Sequence, residues 1–113
     1  MDQALNIEAL KELRNLMGDA LNEVLQTFVD YVPGQIAELS QAVSNDDAYS
    51  VFNLAHKMKS SSSSIGADGL AAVAEQIESI GRSGTTEGTA ELLAQLKHMY
   101  SDAETLVRAE LNK

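Results

Sequence analysis

Residues Leu54–Gly69 read LAHKMKSSSSSIGADG, and the conformation of this stretch decides the fold. Five consecutive serines commonly mark a flexible linker. A linker here would divide the chain into pieces of about 60 and 50 residues, each small for a stable core. The flanking residues argue for a helix instead. Ala48, Val51, Phe52, Ala55, Met58, Ser62 and Ile65 recur at three- and four-residue steps, so one apolar face runs from the turn at Ser44–Asp47 through the serines. Each Ser costs about 0.5 kcal/mol relative to Ala in a helix, and the roughly 2.5 kcal/mol for five is an amount that tertiary packing overcomes. Gly66 then ends the segment.

Outward from this helix the same periodicity continues in both directions. Asn6 is a candidate cap for a short first helix carrying Ile7, Leu10, Leu13, Leu16 and Met17, closed by Gly18. Asp19 is placed to cap a second helix whose stripe of Leu21, Val24, Leu25, Phe28, Val32, Ile36, Leu39 and Val43 keeps its phase through Pro33. Kept phase predicts a kink near Val32 rather than a break. Beyond Gly66, Asp68 can cap a fourth helix with Leu70, Val73, Ala74, Ile77 and Ile80 inward, closed by Gly81. After the loop RSGTT, Thr86 opens a last helix in which Ala90, Leu93, Leu96, Tyr100, Ala103, Leu106 and Val107 face the core. No strand pattern appears. The expected fold is all-α: an up-down four-helix bundle with an additional short N-terminal helix, forming one domain over residues 1–113.

Composition agrees and removes whole classes of function. The chain is 44% hydrophobic but only 4% aromatic, with no tryptophan, which suits a helical bundle better than a β-sandwich. No run approaches the roughly 18 apolar residues of a membrane span, and MDQALN lacks the basic and then apolar sections of a secretion signal, so a cytoplasmic protein is expected. With no cysteine, disulfides, thiolate metal sites and cysteine nucleophiles are excluded. A net charge of −9 opposes nucleic-acid binding, which needs a basic face to displace counterions. Two isolated histidines, without HExxH or a Glu-x-x-His pair, give no basis for a metal site. Neither a GxSxG elbow nor a GxxxxGK[ST] loop is present, which disfavours hydrolase, nucleotide-binding and autonomous kinase readings.

On a helix advancing 100° per residue, His56 falls at the edge of the apolar face centred on Ala55 and should reach water. Tyr49, Phe52, Ser60 and Ser63 share its flank. Lys59, one turn on, has a stem long enough to bring its ammonium toward the imidazole. A nucleophilic ring beside a cation, among small side chains, suits the in-line transfer of a phosphoryl group. His98 has no such context, and Gln76 and Glu78 read as solvent-facing helix residues.

The segment AHKMKSSSSSIGA, Ala55–Ala67, resembles the signature of histidine-containing phosphotransfer (HPt) domains, A-H-x-x-K-G-x-S-x-x-x-G-A, with His56, Lys59, Ser62, Gly66 and Ala67 in register. The five-helix layout is similar to that family's bundle, and Gln76-Ile77-Glu78 with Gly81-Arg82 resembles its fourth helix. The resemblance implies that His56 accepts a phosphoryl group from a receiver-domain aspartate and passes it to another receiver, steadied by Lys59. It also implies response-regulator receivers and a hybrid sensor histidine kinase as partners, and no cofactor on this chain, the divalent metal belonging to the receiver. The chain would act as a monomeric phosphocarrier without autonomous kinase or phosphatase activity. The alternative is a helical adaptor that binds a receiver or kinase without carrying phosphate. Ser60 departs from the family's usual glycine. Ser60, Ser63, Tyr49, Phe52, Lys57 and Arg82 are the candidate binding residues, and Phe28 and Tyr31 join Tyr49 and Phe52 in an expected docking face on the second and third helices.

Overall fold

The computed structural model describes residues 4–113 as five helices: α1 (Ile7–Met17), α2 (Ala20–Ser44), α3 (Ala48–Ser63), α4 (Asp68–Arg82) and α5 (Thr89–Leu111). No strand occurs among the described residues. Helix α2 packs on α3 and α5, α3 on α4, and α4 on α5, while the diagonal pairs do not meet. This ring is the expected up-down bundle, with its core at Leu21, Leu25, Leu39, Val51, Met58, Ile77, Leu96 and Val107. The serine tract is helical through Ser63, and Ser62 is fully buried, so the linker alternative is excluded.

Pro33 leaves α2 unbroken. Its missing N–H frees the carbonyl of Val29 one turn earlier, and the Tyr100 hydroxyl of α5 donates to that oxygen across 3.5 Å inside the core. Burial, the largest influence, pushes the Tyr100 phenol up to about 12. Tyr100 also lies against Phe28, ring centres 5.6 Å apart. Phe28 is therefore largely a core residue packed toward α5, rather than an exposed part of the docking face, and it meets the surface in the wall of the cleft beside Tyr31.

Helix α1 starts as expected, with the Asn6 side chain accepting from the Ala9 N–H. It covers the corner between α3 and α4, where the Asn6 N–H donates to the Gly66 carbonyl at 2.6 Å and the Asn6 amide donates to Asp68. Gly66 has φ +78°, and a methyl there would come within 3.0 Å of Ala9 Cβ, so the corner requires glycine on both counts. At the other end Arg14 bonds Glu110 of α5, Asn22 of α2 and the Gly18 carbonyl. Leu16, expected inward, is 84% exposed, because α1 packs along one narrow edge and buries only Leu10 of its own residues. Ala90 and Leu106 also face outward rather than to the core. Thr86 does not open α5. It bonds Asp46 of the α2–α3 turn, and α5 starts at Thr89 behind Gly88. Asp68 lies in the first turn of α4 and makes no cap bond; Gly81 lies inside that helix rather than closing it.

Candidate functional site

The centre of the site is a carboxylate. Glu78 of α4 is 1% exposed, on the row Ala71, Ala74, Glu78, Gly81 that α4 turns toward α3. Three basic side chains converge on it. His56 Nδ1 lies 2.8 Å from Oε2, Arg82 Nη2 lies 3.1 Å from Oε2, and Lys59 Nζ lies 2.8 Å from Oε1. Burial alone would raise the Glu78 carboxyl, but hydrogen bonds from Lys59 and His56, with the Lys59 charge, outweigh it and hold it below its ordinary value. An ionised carboxylate only accepts. In the neutral ring Nδ1 therefore carries the proton, and the lone pair lies on Nε2.

The imidazole side chain is 57% exposed, so this lone pair is accessible from outside. Phe52, one turn earlier on α3, stacks beside the ring with centroids 6.3 Å apart, and the Arg82 guanidinium covers Phe52 at 5.4 Å. The ring is thus held by a hydrogen bond at one edge and an aromatic neighbour along its flank. The local charge at the buried end is one carboxylate against Lys59 and Arg82, an excess of one positive charge beside the nucleophile. That excess favours an approaching phosphoryl oxygen.

This arrangement corrects two expectations. Glu78 is not solvent-facing; it is the group on which the site is assembled. Lys59 reaches the carboxylate rather than the ring, so it and His56 are joined through Glu78. The signal that could have revealed Glu78 was present in its position, a lone carboxylate on a row of small buried residues. Reading it required knowing which face of α4 meets α3. Arg82, a candidate from the sequence, is drawn into the cluster, and Phe52 is half-buried within it. Gln76 is exposed as expected.

The other candidates make no hydrogen bond to the ring among the described residues. Tyr49 is 76% exposed, and Lys57, Ser60 and Ser63 face water on α3. Tyr31 is exposed on α2 and lines a mostly apolar cleft of about 350 Å³ with Thr27, Ser61 and Ser64. The cleft runs between α2 and α3, on the opposite side of α3 from the Glu78 cluster. His98 is exposed on α5, 3.8 Å from Asp102. Among the described residues no helix is long and apolar enough to cross a membrane.

Comparison with known proteins gives one consistent result. A family model described as the Hpt domain matches residues 23–106. The structure superposes on histidine-containing phosphotransfer protein B (HptB) from Pseudomonas aeruginosa PAO1 with a TM-score of 0.91 and 27% identity, covering 96% of this chain and 95% of that one. It also superposes on the HPT domain of a sensor hybrid histidine kinase from Shewanella with a TM-score of 0.84, covering 96% of this chain and 94% of that one. At 19% identity this second likeness speaks to the fold alone. No curated protein sequence matches the chain.

Proposed function

Because the chain belongs to the Hpt domain family, it is a histidine phosphotransfer protein of a phosphorelay, and we propose that His56 is its phosphoacceptor, at Nε2. One observation carries this assignment: an exposed imidazole whose Nδ1 is held by a buried, ionised carboxylate. The Nε2 lone pair attacks the phosphorus of an aspartyl phosphate. The N–P bond forms as the P–O bond to the aspartate breaks, and that electron pair returns to the aspartate carboxylate. The ring keeps its Nδ1 proton and gains positive charge, which the Glu78 carboxylate stabilises across the 2.8 Å bond. Reversal of the same step delivers the group to a second receiver. Lys59 and Arg82 supply positive charge for the phosphoryl oxygens, and Tyr49, Lys57, Ser60, Ser63 and Tyr31 form the surface on which a receiver settles.

Phosphorelay receivers or kinases are the general partners of an Hpt domain; for this chain the donor is read as a hybrid sensor kinase. The chain works as a cytoplasmic monomeric carrier without kinase or phosphatase activity of its own. The divalent ion that neutralises charge during transfer belongs to the receiver. The test is His56→Gln, incubated with a phosphorylated receiver domain. The variant should take up no phosphoryl group while still binding the receiver, whereas undiminished uptake would refute the assignment. Loss of binding with the imidazole would count against a docking surface made by the surrounding residues.

A further inference from the structure

We propose that Gly81 is a positioning residue for phosphoryl transfer: its missing side chain sets the α3–α4 separation at which the His56–Glu78 bond exists. The inference rests on the assignment of His56 as acceptor. Gly81 lies in the last turn of α4, one residue before its end, and its φ is outside the left-handed region, so no left-handed turn calls for glycine there. Glycine inside a helix runs against intrinsic preference and needs a reason in packing. The reason is a close approach of two backbones. A methyl on Gly81 would stand 2.7 Å from Phe52 N, 2.9 Å from Ala48 O and 3.0 Å from Phe52 Cα. All three are main-chain atoms of α3, which cannot rotate away as a side chain can.

The position of this contact along the helices is what ties it to the site. Gly81 is one turn beyond Glu78 and adjoins Arg82. Phe52, the residue it touches, is one turn before His56 and stacks beside its ring. Ordinary contact begins at 3.4 Å, so an added methyl must open the helices locally by about 0.7 Å against the 2.7 Å approach. The His56 Nδ1–Glu78 Oε2 distance is 2.8 Å, and the same displacement along it reaches about 3.5 Å, beyond the range of a good hydrogen bond. With that bond gone, Nδ1 no longer holds the proton preferentially, and the Nε2 lone pair is present for only part of the time.

Gly81→Ala tests this, with Gly34→Ala as a matched change in another helix, at an exposed position where a methyl meets nothing within 4 Å. The ring ¹⁵N shifts of His56 should report a protonated Nδ1 and an unprotonated Nε2 in the wild-type protein and in Gly34→Ala. In Gly81→Ala they should move toward a mixture of tautomers, and the rate of uptake from a phosphorylated receiver should fall roughly tenfold or more, as expected of a misplacement approaching 1 Å. A folded Gly81→Ala with wild-type ring shifts and rate overturns the proposal, even if its melting temperature is lowered. Should the variant not fold, the wild-type protein decides: a strong nuclear Overhauser contact between Gly81 Hα and the Phe52 amide is expected, and its absence overturns the proposal. His56→Gln separates the two levels. Uptake persisting in that variant removes the acceptor assignment itself, whereas no uptake there beside an unaffected Gly81→Ala removes only the role of Gly81.

Discussion

Replacing Glu78 by Gln keeps the shape of the side chain and removes the charge on which the site is assembled. The Nδ1 proton then faces an amide oxygen instead of a carboxylate at 2.8 Å. A hydrogen bond to an ionised acceptor is worth roughly 1.5–3 kcal/mol and a neutral one about 1 kcal/mol. The difference, about 0.5–2 kcal/mol, is felt when the ring gains positive charge on phosphorylation. It converts to about a two- to thirtyfold loss in rate. Lys59 and Arg82 lose their carboxylate, but their side chains are 29% and 61% exposed and can turn to water, so collapse of the site is not expected. Rapid-quench measurement of uptake from a phosphorylated receiver, run in both directions, should show forward rate and equilibrium constant falling together by that factor, with receiver affinity unchanged. Forward rate and equilibrium constant both within twofold of wild type would refute the claim that Glu78 stabilises the phosphorylated ring.

The same carboxylate makes a second prediction, in acid. Its folded value lies below the ordinary 4.5, so its contribution to stability is complete above 4.5 and is lost as pH falls through the lower folded value. The stability gap between wild type and Glu78→Gln should therefore be constant above about pH 6 and close on acidification, and a gap that persists down to about pH 3 would contradict the ionised, paired state. A third prediction concerns Pro33: Tyr100→Phe should cost about 0.5–1 kcal/mol in the wild-type background and close to nothing alongside Pro33→Ala, whose restored N–H satisfies Val29. Urea unfolding of the four proteins measures this, and an equal cost in both backgrounds would exclude the compensation.

The α2 stripe keeps its helical phase through Pro33, and the α3 stripe crosses the serines, because burying one face repeatedly outweighs local preferences. Those arguments need only residues within a few turns of each other, which is why helix number, order and inward faces were legible. The failures have a common form. Leu16 and Leu106 satisfy the periodicity and still face water, since a periodic stripe states which residues share a face and not how much of that face a neighbour covers. Thr86 has a cap-like sequence, but Asp46 of a distant turn claims its hydroxyl.

The amino-acid order alone determined that His56 sits on the rim of a helix with Lys59 one turn beyond, because both lie on a single element whose geometry is known in advance. Only the tertiary structure decided that their common partner is Glu78, 22 positions further on, and that α3 and α4 approach closely enough at Gly81 for the bond to form. Which faces of two helices meet, and at what distance, depends on the packing of every side chain between them, and no periodicity within either helix records it.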